Sequence, residues 1–329
     1  MHKKATLTSS NNHPMNPTNQ PVTISLIVPI YGVEAFIAPF AHSVLSQSYP
    51  QIQYIFVNDG TKDASMEVLG QIIDEHYPHR KAQIVIVNKK NGGLPAARHT
   101  GLQHVTGDYV YHVDPDDWLS TDAIALIAAK IVETGSDIIY FNYVKEYTNR
   151  SSVKREKPYS IAEKEHYIRA MYNHRAYGTL CNKCVKASLY TSHQLYTPRY
   201  GYAEDCCLSV QLVGYASSIS YLDETLYHYR KSNPHAMTGQ NLKKRKREYA
   251  ENFLNLYETY KDIPSATNPI ACLFDDIVIQ AGWYSLLYRL GLFKQRPYLA
   301  QAIRRAKARR HTDVWFIGQA ITKLYALFR

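Results

Sequence analysis

A repeated alternation between residues 23 and 143 constrains the fold most. Short apolar, β-rich runs at 23–29, 52–57, 83–87, 108–113 and 137–143 are separated by helical patterns at 33–47, 62–76, 95–105 and 121–133. Strands spaced by helices of this length make βαβ units and a mostly parallel sheet. The runs are almost continuously apolar, as expected of strands covered on both faces. The chain is therefore read as α/β, a sheet flanked by helices. After residue 145 the pattern weakens. Residues 145–158 are polar and charged and read as a loop, and 160–235 mix short strands and helices. From 243 onward the pattern is helical, with breaks near Pro264, Pro269 and Pro297.

Open parallel sheets bind ligands at the carboxyl ends of their strands. The residues following each strand here are Pro29-Ile30-Tyr31, Asn58-Asp59-Gly60, the stretch 88–98 and Asp114-Pro115-Asp116-Asp117. The last is the strongest local signal. Three carboxylates in four residues behind a buried strand repel one another, which is costly unless a cation neutralises them. Hard divalent ions such as Mg²⁺ or Mn²⁺ take carboxylate oxygens and share them with phosphates. The other reading is a solvated acidic turn with a cap for the helix at 121.

Asn91-Gly92-Gly93 lets backbone amides approach an anion at a helix start, and Arg98 adds a fixed positive charge. The alternative is an ordinary glycine turn and a surface arginine. A carboxylate at Asp59 can accept a hydrogen bond from a base N–H, although Asp-Gly is also a common turn. Neither G-x-G-x-x-G nor G-x-x-x-x-G-K-[ST] occurs, which argues against a dehydrogenase and a P-loop NTPase. Glu204-Asp205 follows Tyr200 and Tyr202 and precedes an apolar segment, and a partly buried carboxylate there can act as a general base.

Charge is uneven. The chain has 329 residues and a net charge of +10, yet residues 241–329 hold 16 Lys/Arg against 7 Asp/Glu. Basic clusters at 243–247 and 304–310 lead into Val314, Ile317, Ile321, Leu324 and Phe328 at helical spacing. Basic residues beside an apolar, aromatic helix have the composition of an interfacial anchor on an anionic membrane. A helix docking on its own domain is the other reading. No nucleic-acid module is visible. No run is long enough to span a membrane, and residues 1–21 read as a disordered lead-in without a secretory signal. Cys181-x-x-Cys184 and Cys206-Cys207 lack the spacing of a zinc knuckle and read as reduced, mostly buried thiols.

Taken in order, Ile27-Val28-Pro29-Ile30-Tyr31, Val57-Asn58-Asp59-Gly60-Thr61-Lys62-Asp63, Asn91-Gly92-Gly93-Leu94-Pro95-Ala96-Ala97-Arg98, Val113-Asp114-Pro115-Asp116-Asp117-Trp118 and Glu204-Asp205 resemble the family 2 glycosyltransferases, inverting enzymes of GT-A fold, of bacterial surface-polysaccharide type. The resemblance covers roughly residues 22–235. It implies a GT-A domain over 22–240, with a nucleotide-binding half at 22–145 and an acceptor-side half at 146–240. A basic helical extension at 241–329 follows, with a membrane-associating helix at 312–329.

The resemblance implies that Pro29, Tyr31, Asp59, Gly93, Arg98 and Asp114 bind the donor nucleotide. Asp114 and Asp116 hold Mn²⁺ or Mg²⁺, and Asp117 and Trp118 meet the donor sugar. Asp205 is the catalytic base, with Glu204 beside it. Tyr229-Arg230 through Met237-Thr238 look like the segment following the base, and Asn182-Lys183 matches a recurrent pair. Pro115 and His99 depart from common family residues without removing a needed group. The implied reaction moves a sugar from a nucleotide-sugar, UDP-linked by preference, to a hydroxyl of a glycan or lipid-linked glycan. The implied place is the cytoplasmic face of the cell membrane, with no nucleic-acid partner. A sugar nucleotidyltransferase expects a basic glycine-rich loop where Pro29-Ile30-Tyr31-Gly32 stands, and a non-catalytic scaffold expects lost carboxylates, which are all present.

Overall fold

The computed structural model describes residues 21–277, apart from 234, 235, 237, 238 and 240. The lead-in at 1–20, Met237-Thr238, the basic cluster at 304–310 and the helix expected at 312–329 lie outside the described residues. The chain divides into two compact units. The first comprises 1–158, 181–192 and 217–233, and the second 159–180, 193–216 and 234–329.

The first unit is built on one nine-stranded sheet. Its strands are β1 (Ile24–Ile30), β2 (Ile52–Asn58), β3 (Ile84–Asn88), β4 (Tyr109–His112), β5 (Trp118–Leu119), β6 (Ile138–Tyr147), β7 (Arg150–Lys154), β8 (Lys183–Lys186) and β9 (Ile219–Arg230). The order is β3-β2-β1-β4-β8-β6-β9-β5, with β7 paired to β6. β1 runs parallel to β2 and β4, from Ile24↔Ile52 to Ile30↔Asn58 on one side and Ile24↔Tyr109 to Ile27↔His112 on the other. β8 is reversed, β6 and β9 are again parallel, and β5 and β7 are antiparallel. The expected α/β class with a mostly parallel sheet is what the chain adopts.

Every residue of β1 is buried, because helices cover both faces. These are α1 (Glu34–Leu45), α2 (Ser65–His76), α3 (Leu94–Leu102) and α4 (Ala123–Thr134), with a short α6 at Ala187–Thr191 following α5 of the second unit (Lys164–Tyr172). α4 buries Ile124, Ile127, Ala128 and Ile131 at helical spacing and ends at Gly135, whose φ of 62° suits a left-handed C-terminal stop. α3 packs on β1 and β2 through Gly101, where an added Cβ would lie 2.5 Å from Ile27 Cγ2.

The loop expected at 145–158 is instead largely a hairpin. β6 continues to Tyr147 and turns into β7, from Tyr143↔Lys154 to Tyr147↔Arg150. Its strand residues are mainly charged or hydroxylic, so the apolar alternation that marks a strand is missing.

The second unit is helical: α5, α7 (Glu204–Tyr215), α8 (Leu242–Tyr260) and a 3-10 turn at Ala271–Leu273. Tyr172 meets Phe253 edge-on at 4.8 Å, Tyr249 Oη donates to Tyr172 O at 2.6 Å, and Arg169 pairs with Asp276 at 2.6 Å. α8 therefore packs with residues on both sides of position 240. No described helix is long and apolar enough to cross a membrane. Cys181, Cys184, Cys206 and Cys207 are buried free thiols.

Candidate functional site

The sheet order 3-2-1-4 reverses direction between β1 and β4. In open α/β sheets ligands bind outside the strands' carboxyl ends at such a switch point. Pro29 lies buried within β1, whereas the Tyr31 ring just past it is 52% exposed. The turn that presents Tyr31 is fixed from the β2–α2 loop. Gly32 N donates to Thr61 Oγ1 at 2.9 Å, Val33 N to Ser65 Oγ at 3.1 Å and Glu34 N to Asp63 Oδ2 at 3.0 Å. Burial raises the Asp63 carboxyl, but hydrogen bonds from Ser65, Thr61 and the Glu34 amide outweigh it and hold Asp63 at about 2.

Asp59, at the end of β2, is 2% exposed. Its carboxylate accepts from Lys89 Nζ, from Gly92 N at 2.9 Å and from Gly93 N at 2.8 Å. The glycine amides thus already hold an anion, and it is the Asp59 side chain. Gly93, at φ 82°, takes a backbone conformation that suits glycine before α3 begins.

Arg98 of α3 is buried, not a surface residue, and its guanidinium meets Asp114 Oδ1 at 2.6 Å. The acidic loop after β4 is then clasped by β9. Tyr227 Oη donates to Asp117 Oδ2 at 2.5 Å, and Arg230 N donates to Asp117 Oδ1 at 2.6 Å. Arg230 Nε donates to Asp116 O at 2.7 Å, while its guanidinium lies 4.7 Å from the Trp118 ring and 5.2 Å from that of Phe36. Trp118 also stacks on His228 at 5.1 Å. Asn233 Nδ2 donates to Asp116 Oδ2 at 2.8 Å.

Asp117 is 1% exposed with both oxygens occupied, so its side chain ties the loop to β9 instead of facing outward to a donor sugar. Burial first, then the charges of Asp116 and Asp114, push Asp117 well above the usual carboxylate range. Burial and then Asp114 raise Asp116, against the lowering effects of Asn233 and Arg230. Asp114 is partly exposed and Asp116 leaves Oδ1 beside the Asn233 bond, and carboxylate oxygens are hard donors. Asp114 and Asp116 therefore fit a divalent cation. Among the described residues no group of three or more Asp, Glu, His or Cys side chains is placed to hold a metal ion.

In the second unit, Ala203 has φ 62°, a left-handed conformation costly for a residue with a side chain and common at functional sites. It introduces Glu204 and Asp205 in the first turn of α7, where the helix dipole favours carboxylates. Glu204 is buried. Asp205 is partly exposed, and its Oδ1 accepts from Cys206 N at 2.8 Å. The preceding loop is held by the buried Asn252 of α8, which bonds the Tyr200 N and O and the Tyr202 O at 2.9–3.1 Å.

Residues 25–193 match the profile of Glycosyl transferase family 2. The chain belongs to that family. Curated relatives agree with this family membership. The putative glycosyltransferase EpsH of Bacillus subtilis is 29% identical over 63% of this chain and 60% of its own length. Glycosyltransferase GlyA of Streptococcus pneumoniae is 32% identical over 63% of this chain and 30% of its own. The aligned part thus spans less than two thirds of either relative. Among solved structures, Staphylococcus aureus TarS 1–349 in complex with UDP-GlcNAc has a TM-score of 0.58 at 19% identity, covering 78% of this chain and 80% of that one. The mannosyltransferase PcManGT of Pyrobaculum calidifontis, in complex with GDP-Man and Mn²⁺, has a TM-score of 0.54 at 15% identity, covering 95% and 88%. These likenesses establish the GT-A fold for this family 2 chain.

Of the expected site residues, Tyr31, Asp59, Gly93, Arg98, Asp114, Asp116, Asp117 and Trp118 belong to the first unit, and Glu204 and Asp205 to the second. Asn182-Lys183 is buried and internally bonded, Lys183 Nζ to Asn182 Oδ1 at 2.9 Å and Asn182 Nδ2 to Phe141 O at 3.1 Å. Tyr227, Arg230 and Asn233 are the contributors that sequence reading does not assign to the acidic loop. Only the Tyr229-Arg230 pair draws attention beforehand, and then merely as a segment after the base.

Proposed function

We propose that the chain transfers a sugar from a nucleotide-sugar to a hydroxyl of a glycan or lipid-linked glycan during surface-polymer synthesis. The observation that carries this reading is the acidic loop at the β1–β4 switch point, with Asp114 on Arg98 and Asp116 on Asn233. Asp114 and Asp116 would hold Mn²⁺ or Mg²⁺. When bound, such an ion offsets the negative charge on the leaving diphosphate. Tyr31 presents an exposed ring on which a base can stack. Asp59 fixes the loop at 89–93 that flanks the nucleotide, and any base contact it makes shares its oxygens with those bonds.

Trp118, gripped between His228 and Arg230, forms a wall for the donor sugar, and Asp117 positions that wall. Asp205, partly exposed at a helix start, takes the proton from the acceptor hydroxyl. The oxygen attacks the anomeric carbon from the face opposite the diphosphate, and a single displacement inverts that centre. Glu204, buried beside it, supports the base. The basic C-terminal segment suits an anionic membrane surface on the cytoplasmic side, where a lipid-linked acceptor is presented.

The test is turnover of UDP-, GDP- and dTDP-sugars with Mn²⁺, read as nucleoside diphosphate release. Asp205→Asn is expected to lower turnover by about 10²–10⁴ with donor binding kept, the range of general-base catalysis. Unchanged turnover in that variant refutes the base assignment.

A further inference from the structure

Strands β6, β7 and β9 carry a cationic cluster that the proposed reaction does not use. On β6, Tyr143, Lys145 and Tyr147 share one face. β7 sets Lys154 opposite Tyr143 and Ser152 opposite Lys145, and β9 sets Tyr227 and Tyr229 opposite the same two positions. Lys231 continues that register, its N–H bonding Glu146 O at 2.7 Å. Lys145 Nζ lies 5.9 Å from the Tyr143 ring and Lys231 Nζ 5.2 Å from the Tyr229 ring. Lys154 Nζ donates to Ser152 Oγ at 2.8 Å. Neither Lys145 nor Lys154 forms an ion pair with a carboxylate among the described residues. Glu146, next in sequence, points to the other face and pairs with His228 at 2.9 Å.

The ammonium groups lie close enough to oppose one another. Burial first, then the charges of Lys154 and Lys231, push Lys145 below the usual lysine range. A lysine on an edge strand such as β7 can serve simply to block edge pairing. Lys145 is different, since β6 lies between β7 and β9 and Lys145 is partly buried. Partial burial of Lys145, and two ammonium groups, Lys145 and Lys154, without a carboxylate partner among the described residues, describe a receptor for an anion.

We infer that Lys145, Lys154 and Lys231 form a subsite for a phosphate group carried by the acceptor. The word acceptor rests on the transferase reading above. The donor diphosphate belongs at the β1–β4 switch point, and β6 stands three strands from β1, about 14 Å at the usual strand spacing. The cluster still reaches the acidic loop, because Tyr227 on the same face binds Asp117. A phosphate held there leaves a sugar or polyol hydroxyl of the same molecule free to reach toward the loop.

The experiment is calorimetric titration of inorganic phosphate into the full chain, alone and with saturating UDP, GDP or dTDP plus Mn²⁺. Phosphate is expected to bind in both conditions. Lys145→Met and Lys154→Gln should each weaken it about tenfold, as loss of one charged hydrogen bond does, with nucleotide affinity kept within about twofold. Lys154 is on an exposed-edge hairpin, so its variant folds even where Lys145→Met does not, and a thermal melt checks both. Phosphate affinity unchanged in the folded variants overturns the subsite. Competition between nucleotide and phosphate, with both weakened together by Lys154→Gln, assigns the lysines to the donor and overturns the acceptor claim. A wild type that binds phosphate at the lysines but none of the three nucleotides supports the subsite and counts against the donor reading instead.

Discussion

Tyr227 Oη lies 2.5 Å from Asp117 Oδ2, a hydrogen bond joining residues 110 positions apart. It closes the acidic loop after β4 onto β9, and the Arg230 amide closes the other carboxylate oxygen at 2.6 Å. Asp114 and Asp116 are thereby carried on a loop whose third carboxylate is locked. This pre-organisation suits residues that must meet a charged ligand without rearranging.

Tyr227→Phe removes that donor and leaves a buried carboxyl oxygen short of a partner. A loss of about 1–3 kcal/mol in stability is expected, together with weaker nucleotide binding in Mn²⁺. Urea denaturation and calorimetry on the same variant measure the two. Full retention of both would mean that the Asp117 clasp is dispensable.

Arg98→Met breaks the ion pair with Asp114 and leaves an acidic loop with less positive charge. Arg98 is buried but Asp114 is partly exposed, so a stability loss of about 2 kcal/mol is expected, less than for a wholly buried pair. The variant's denaturation midpoint should recover in part on adding Mn²⁺. Absence of any Mn²⁺ response would separate the Arg98 pair from the cation site.

Acid sensitivity of the β1–α1 turn follows from Asp63. Its folded-state value of about 2 lies below the ordinary 3.8. The stabilisation is therefore present above about pH 3.8 and is lost as pH falls toward 2. Asp63→Asn should cost about 1 kcal/mol at pH 7, a figure reduced for solvent screening of this half-exposed group. Denaturation at several pH values should show the gap from wild type closing below pH 4. A gap constant down to pH 2 would contradict the assignment.

Gly101→Ala drives a Cβ against Ile27 Cγ2, at 2.5 Å, where α3 lies on the sheet. Overpacking of this kind costs about 1–3 kcal/mol. The variant should melt earlier, because α3 carries Arg98 and must shift to accommodate the methyl group.

The alternating first half was legible because parallel strands buried on both faces are continuous apolar runs, and their ends fall within a few residues of the expected limits. The acidic loop was legible because three carboxylates in four residues are unusual chemistry. What escaped was long-range. Nothing in the local pattern around 227–233 says that Tyr227, Arg230 and Asn233 face a loop more than 100 positions earlier. The β6–β7 hairpin escaped because Arg150-Ser-Ser-Val-Lys154 is polar on both faces of an edge strand. Asp59 and the glycine loop were each recognised, but their binding to one another depends on β2 and β3 lying side by side, which only the fold supplies.

Asp114 and Asp116 are proposed to present a divalent cation to a nucleoside diphosphate. Calorimetry with UDP, GDP and dTDP, in Mn²⁺ and again in EDTA, on wild type and Asp116→Asn, tests this most directly. Micromolar binding of one nucleotide is expected in Mn²⁺, weakened at least about tenfold by EDTA and by the substitution. Binding that is equal in Mn²⁺ and EDTA, or no binding of any of the three, would contradict it.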